Sequence, residues 1–358
     1  MKNNIIVTGG AGFIGSNFIL DILDSSNSNT PDLIINLDCL TYAGNLENLE
    51  SLKDNPRYLF VKGSITDKNL ITSLFKEHQP RAIIHFAAES HVDRSIRDSS
   101  DFIETNIIGT YTLLESAREH FGNLNNEEKE NFRFLHVSTD EVYGSLSTNA
   151  APFSEKNKYE PNSPYSASKA SSDHLVRAWH HTYKLPTLIT NCSNNYGPYQ
   201  FPEKLIPLCI FNALTNKPIP IYGDGKQIRD WLFVQDHCKA IQSVLMHGKI
   251  GETYNVGGLN EKTNLEVVNH ICDILDELQP RSDKMSYTKQ IQFIQDRPGH
   301  DKRYAIDASK IQTELGWNPE ASFESGIRQT IAWYLDHQDW VHHIVSGEYQ
   351  HWIKKHYS

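Results

Sequence analysis

The stretch Ile5-Ile6-Val7-Thr8-Gly9-Gly10-Ala11-Gly12-Phe13-Ile14-Gly15 decides the fold. An apolar run, Ile5 to Thr8, reads as a strand and ends directly in glycines, after which a helical pattern opens. Gly9, Gly12 and Gly15 form a G-x-x-G-x-x-G spacing. The first glycine permits the tight turn, the second lets the backbone approach a pyrophosphate, and the third lets helix and strand pack closely. The helix start then offers open N–H groups and the positive end of its dipole to phosphate.

Outward from this loop, apolar runs alternate with helical stretches. Strand candidates are Leu33-Leu37, Tyr58-Val61, Ala82-Phe86 and Phe132-Val137, with Leu188-Thr190 as a sixth. Ser163-Pro164 pairs an N-cap serine with proline at the first helical position, so a helix is expected from there to about Tyr183. The βαβα order predicts an α/β fold, a Rossmann-type doubly wound parallel sheet spanning residues 1–190. After Asn191 prolines cluster (Pro198, Pro202, Pro207, Pro218, Pro220) and helices are expected to shorten, which marks a smaller C-terminal lobe over 191–358. The two are expected to interleave, because Thr253-Asn255 reads as a buried strand and residues of roughly 230–260 rejoin the main sheet. Gln279-Lys289 reads as a surface excursion.

Composition excludes several classes. The net charge of −10 argues against nucleic-acid binding, which leaves a basic footprint. No apolar run reaches the roughly 20 residues a bilayer span needs, so no membrane partner is expected. The N-terminus enters a strand at once and lacks a signal-peptide pattern. Cys39, Cys192, Cys209, Cys238 and Cys272 are scattered with no Cys-x-x-Cys spacing, which argues against a disulfide framework and a zinc site. A reducing cytoplasm follows as the expected location. Most of the 17 histidines lack metal-motif spacing and read as surface residues.

The chemistry is carried by residues expected at the C-terminal edge of the sheet. Asp38 ends the second strand, where a carboxylate bonds the adenosine ribose diol and repels a 2′-phosphate, so NAD is expected over NADP. His85-Phe86-Ala87-Ala88-Glu89-Ser90 ends the fourth strand with small residues that leave room for a cofactor. Tyr165 and Lys169 lie four apart on one helical face. The ammonium is expected to favour the phenolate, making Tyr165 a base for a hydroxyl whose carbon loses hydride. Thr139, Asp140 and Glu141 follow the fifth strand. Oxidation of a sugar carbon to a ketone acidifies the neighbouring C–H, and two carboxyl groups in different environments can then divide the base and acid roles of water loss. Thr139 can donate to the developing oxyanion.

These residues resemble the extended short-chain dehydrogenase/reductases, and within them the nucleotide-sugar 4,6-dehydratases that act on dTDP-glucose. The resemblance runs nearly end to end. It rests on Gly9-Gly15, Thr41-Tyr42-Ala43-Gly44-Asn45-Leu46, Ala87-Ala88-Glu89-Ser90-His91-Val92-Asp93-Arg94-Ser95, Ser138-Thr139-Asp140-Glu141-Val142-Tyr143-Gly144, Tyr165-Lys169, Asn194-Asn195-Tyr196-Gly197-Pro198 and Asp296-Arg297-Pro298-Gly299-His300-Asp301. It implies an NAD that is reduced and reoxidised within one turnover. Tyr165 would be the base for the 4-hydroxyl, Glu141 would take the C5 proton, and Asp140 would protonate the departing 6-hydroxyl. Cofactor contacts are implied for Gly9, Gly12, Phe13, Ile14, Gly15, Asp38, Leu40 and Thr41. Ser64, Ile65, Phe86, Ala87, Ala88, Ser90, Thr105, Tyr165, Lys169 and Asn195 complete that implied set. Ser90, Thr139 and Asn194 would lie near the sugar. Lys204, Leu205, Pro220, Ile221, Tyr222, Arg229, Asn264, Arg297 and His300 would hold the nucleotide diphosphate, with Tyr357 as a further match. A homodimer is implied too, joined through helices around Asp101-His120 and Ser163-Tyr183.

Two positions depart from the family pattern. Cys39 stands where relatives often carry lysine, and Ser64 where an aspartate usually reads the adenine amino group. The serine accepts a hydrogen bond without charge, so weaker cofactor retention is expected. Three rival readings stay open here. A nucleotide-sugar 4-epimerase needs Tyr165, Lys169 and NAD but no acid–base pair. A GDP-mannose 4,6-dehydratase shares the chemistry with another nucleotide. A non-catalytic NAD-sensing protein commonly lacks the Tyr-Lys pair kept here.

Overall fold

The apolar runs of the first half lie side by side in the computed structural model, which describes residues 2–24, 30–296 and 301–347. They form β1 (Asn4–Thr8), β2 (Leu33–Asp38), β3 (Tyr58–Lys62), β4 (Ala82–His85), β5 (Arg133–Thr139) and β6 (Thr187–Cys192). The second half adds β7 (Asn194–Tyr196), β8 (Ile219–Tyr222), β9 (Ile228–Phe233), β10 (Thr253–Val256), β11 (Glu261–Thr263) and β12 (Ile291–Ile294). The main sheet runs β3-β2-β1-β4-β5-β6-β10, with every neighbouring pair parallel. β10 returns from the second lobe to pair with β6, Thr253 opposite Ile189 and Val256 opposite Cys192.

Strand periodicity explains why both faces are covered. Ile5 and Val7 join a core with Phe18 and Ile19 of the helix Phe13–Ile22 and with Ile241 and Val244 of the helix Val234–His247. Ile6, between them, points to the opposite core, with Leu74 of the helix Lys68–His78, Leu113 of the helix Thr110–Asn123 and Val176 of the helix Pro164–Tyr183. Alternate residues face alternate layers, and a parallel sheet buried on both sides therefore reads as continuous apolar runs. Strand order reverses between β1 and β4, and ligands of such sheets bind in the crevice beyond that point.

The second lobe has its own core, built on Tyr196, Ile210, Phe233, Ile271, Phe323 and Tyr334. Small sheets β7-β9-β11 and β8-β12 frame it. Its helices do not shorten as expected: Asn264–Leu278 and Phe323–Asp336 hold 15 and 14 residues. The prolines fall outside these helices; Pro220 sits in β8, and Pro207 in the first turn of the helix Leu205–Leu214, where a missing N–H costs nothing. The surface reading of the histidines also fails at telling places. His85, His91, His120, His136 and His237 are buried, and His85 and His136 lie inside the sheet itself.

Candidate active site

A cleft of about 320 Å³ opens at the C-terminal edge of the main sheet. Its floor is the turn after β1. Gly9 has φ +71°, and a Cβ there would lie 2.6 Å from the Ala87 nitrogen. A Cβ on Gly15 would lie 2.3 Å from the Gly9 carbonyl oxygen. Both positions require glycine, for backbone conformation and for close approach. Gly12 is the N-cap of the helix Phe13–Ile22 and no side chain caps that end, so its first amides face the cleft. Asp38 closes the far side. Its Oδ2 accepts from the Ala11 amide at 2.9 Å and its Oδ1 from the Leu40 amide at 2.8 Å. Burial raises this carboxyl, with the two amides opposing. Donor turn, open helix end and terminal carboxylate together fit a dinucleotide cofactor.

The catalytic candidates converge on the same cleft. Thr139, Asp140, Glu141, Tyr165 and Lys169 all line it. Thr139 ends β5 and its Oγ1 accepts from the Glu141 amide at 3.2 Å, capping the tight turn Asp140–Tyr143 that aims the two acids. Ser163 and Ser166 bond each other's backbone amides at 3.0 Å, fixing the start of the helix Pro164–Tyr183 and with it Tyr165. Asp140 is 2% exposed, and its Oδ2 has no hydrogen-bond partner among the described residues. Burial, then the Glu141 and Asp230 carboxylates, push its carboxyl well above the ordinary range, against the opposing charge of Arg229. Burial and its carboxylate neighbours thus favour the neutral form of Asp140 beside Glu141.

One expected shift comes out with the opposite sign. Tyr165 is pushed well above its usual value, by burial first and then by Glu141, with the Thr139 hydrogen bond opposing. Lys169 Nζ donates to the Val137 carbonyl at 2.9 Å and lies 3.4 Å from His136 Nε2. Within the protein's own groups, desolvation and a neighbouring carboxylate outweigh the ammonium.

Of the expected cofactor residues, Gly9, Gly12, Phe13, Ile14, Gly15, Asp38, Thr41, Ser64, Ile65, Phe86, Ala87, Ala88, Ser90, Thr105 and Asn195 line the cleft. Leu40 does not; it offers its backbone amide to Asp38 and takes φ 56°. Asn194 and Lys204 line the cleft, and Asn194 Oδ1 is buried without a partner among the described residues. Lys204 Nζ donates to the Ser90 carbonyl at 3.0 Å. Leu205, Pro220, Ile221, Tyr222, Arg229 and Asn264 lie away from this lining, in the second lobe. Arg229 donates to the carbonyls of Ile228 and Asp301 at 2.8 and 3.0 Å and stacks on Tyr304. Arg297, His300 and Tyr357 lie outside the described residues.

Sequence reasoning missed Glu203, Gln200 and Cys192 in the lining. Glu203 adjoins Lys204, and that adjacency was the available signal. It is buried and pushed up to about 7 by desolvation, against the charges of Lys204 and Arg94.

Comparison with known proteins shows the family. The family model described as GDP-mannose 4,6 dehydratase matches residues 6–330. The dTDP-glucose 4,6-dehydratase of Shigella flexneri is 58% identical, over 99% of this chain and 98% of that one. The dTDP-glucose 4,6-dehydratase 1 of Escherichia coli strain K12 is 57% identical over the same shares. Among solved structures, the dTDP-glucose 4,6-dehydratase of Bacillus anthracis in complex with NAD superposes with a TM-score of 0.83 at 47% identity, covering 95% of this chain and 99% of that one. The UDP-glucose 4-epimerase of Thermotoga maritima superposes with a TM-score of 0.81 at 27% identity, covering 93% and 99%.

Proposed function

The chain belongs to the dTDP-glucose 4,6-dehydratase family, and we propose that it turns dTDP-glucose into dTDP-4-dehydro-6-deoxy-glucose as an NAD-dependent hydro-lyase. Bound NAD supplies the hydride acceptor at C4 and the hydride donor at C6. Tyr165 takes the proton of the 4-hydroxyl as the phenolate, a form that the Lys169 ammonium and the positively charged ring of bound NAD would together favour against burial and Glu141. Glu141 removes the C5 proton, which the new ketone has made acidic. Asp140, whose neutral form burial favours, gives its proton to the departing 6-hydroxyl, and water leaves. Thr139 donates to the oxygen at C4 as charge builds there. The observation that carries this reading is the buried Asp140, its carboxyl pushed well above the ordinary range, beside Glu141 in the cleft that holds Tyr165. A 4-epimerase has no task for that pair.

Ser90 and Asn194 contact the sugar. Lys204, Leu205, Pro220, Ile221, Tyr222, Arg229 and Asn264 belong to the nucleotide diphosphate side, with residues 191–358 forming most of that lobe. Two copies associate through the helices flanking Tyr165. The exposed apolar side chains Ile103, Ile108, Tyr111 and Tyr183 on those helices support a homodimer. Among the described residues no helix is long and apolar enough to cross a membrane. The five cysteines are unpaired, which suits a cytoplasmic enzyme.

Incubation of purified protein with dTDP-glucose, read by mass spectrometry, tests the reaction. A product lighter by one water, with no net consumption of added NAD, is expected. An unchanged mass with altered sugar stereochemistry overturns the reading in favour of an epimerase.

A further inference from the structure

Behind the Tyr165–Lys169 pair lies a buried charged cluster that the reaction above leaves unused. Lys169 is 4% exposed and, among the described residues, makes no direct ion pair with a carboxylate. Among the described residues its Nζ meets the Val137 carbonyl at 2.9 Å and His136 Nε2 at 3.4 Å. An ammonium in so dry a place needs a counter-charge nearby. Asp173 lies one turn further along the same helix, on the same face, and its side chain is fully buried. Its Oδ1 is 3.2 Å from the same His136 Nε2, and its Oδ2 accepts from Asn191 Nδ2 at 3.3 Å. One ring nitrogen therefore stands between the carboxylate and the ammonium.

The imidazole is neutral, held at about 4 by burial and then by Lys169. Its Nδ1 has no hydrogen-bond partner among the described residues, and its Nε2 also lies 3.2 Å from Ser172 Oγ. The other groups facing Lys169 are Tyr165 on its own helix, His85 on β4, Cys192 on β6 and the acids after β5. Burial pushes the His85 imidazole well down, holds the Cys192 thiol up at about 12, and pushes the Asp140 carboxyl well up. Glu141 faces from the cleft side. Burial brings Lys169 down to about 8, and the Asp173 charge is the foremost effect opposing it.

We propose that Asp173 is a positioning residue for the reaction: it is the counter-charge that keeps the Lys169 ammonium protonated, and His136 is the spacer that keeps Lys169 turned to the cleft instead of collapsing into an ion pair. The inference rests on the reading of Tyr165 and Lys169 as the proton-handling pair. A direct ion pair at this spacing would draw Nζ down its own helix, away from Tyr165. The ring lets charge act across it while geometry stays open.

The test is the pH profile of kcat/KM in the NAD-loaded enzyme. Asp173→Asn keeps the shape and removes the charge. The alkaline limb is expected to move to lower pH by about one unit, a roughly tenfold earlier loss of the lysine proton, with the acid-side rate largely kept. His136→Asn removes the spacer and leaves the charge; it is expected to move the limb to higher pH while kcat falls more than KM changes. If Asp173→Asn does not fold, that second shift decides alone. An even loss of rate at every pH in both variants, with the limb unmoved, overturns the proposal. Lys169→Arg separates it from the underlying reading: an arginine does not titrate in this range, so the limb should vanish. A limb that survives Lys169→Arg overturns both; a limb that vanishes there but ignores Asp173→Asn overturns the counter-charge alone.

Discussion

Tyr42 Oη donates to Glu203 Oε1 at 3.0 Å, and this one bond joins the loop after β2 to the second lobe across the mouth of the cleft. The Arg94 guanidinium lies 3.4 Å over the centre of the Tyr42 ring, and Phe201 meets that ring edge-on. His91 Nε2 stands 3.5 Å from Glu203 Oε2. Three segments distant in sequence thus interlock at the mouth of the cleft.

Removing the tie should loosen the cofactor. Tyr42→Phe is expected to speed NAD dissociation roughly five- to tenfold, the worth of one buried hydrogen bond to a carboxylate, with kcat nearly unchanged. Cofactor occupancy after timed gel filtration checks this. An off-rate equal to that of the unaltered enzyme would refute it.

Glu203 makes stability depend on pH with a definite sign. Burial favours its neutral form in the folded protein, up to about 7, above the ordinary glutamate value. Its contribution is full below the unfolded value and is lost as pH climbs through about 7. Melting temperature should therefore fall between mildly acidic and neutral pH. Glu203→Gln should flatten that fall, which amounts to at most about 3 kcal/mol.

Asp140→Asn should separate oxidation from water loss. Tyr165 still serves the 4-hydroxyl, while the proton for the departing 6-hydroxyl is gone. Turnover should drop at least about a hundredfold. Rapid mixing with dTDP-glucose should then show the near-ultraviolet absorbance of reduced nicotinamide building up. Lost turnover with no such absorbance would place Asp140 in the oxidation step instead.

Ser64 lines the cleft with its hydroxyl already engaged: Oγ shares a 2.8 Å hydrogen bond with Thr66 Oγ1 and accepts from the Thr66 amide at 3.1 Å. Ser64→Asp supplies a charged acceptor and should slow NAD loss several-fold, as expected for about 1 kcal/mol. Equilibrium dialysis of both forms decides it. Unaltered protein that stays fully loaded on long dilution would contradict the weaker retention expected of Ser64.

Much of this was legible in the chain because local rules decide it. The Ser163-Pro164 start predicts the helix Pro164–Tyr183, since cap and first turn are set by neighbours in sequence. The runs at Ile5, Leu33, Tyr58, Ala82 and Phe132 all became strands; all but the edge strand at Tyr58 are buried on both faces, which leaves an unbroken apolar signal. The acid pair met Tyr165 in one cleft because both follow strands at the same sheet edge. What stayed hidden depends on distant contacts. The net upward push on Tyr165 comes from burial and from Glu141, which spacing to Lys169 cannot reveal. His136 reads as one polar residue in a strand until Asp173 and Lys169 close on it. Glu203 meets Tyr42 across 161 positions of chain.

The return of β10 to β6 has a consequence for biosynthesis. A ribosome that has released residues up to β6 has already delivered Gly9, Asp140, Tyr165 and Lys169. Yet the outer edge of β6 must wait for Thr253–Val256, some sixty residues of second lobe later. Through that interval the nascent catalytic half carries a bare parallel edge, a template for pairing with other chains. Synthesis of the second lobe thus completes the first, and a transcript cut short before β10 yields a chain with every catalytic side chain and a sticky flank.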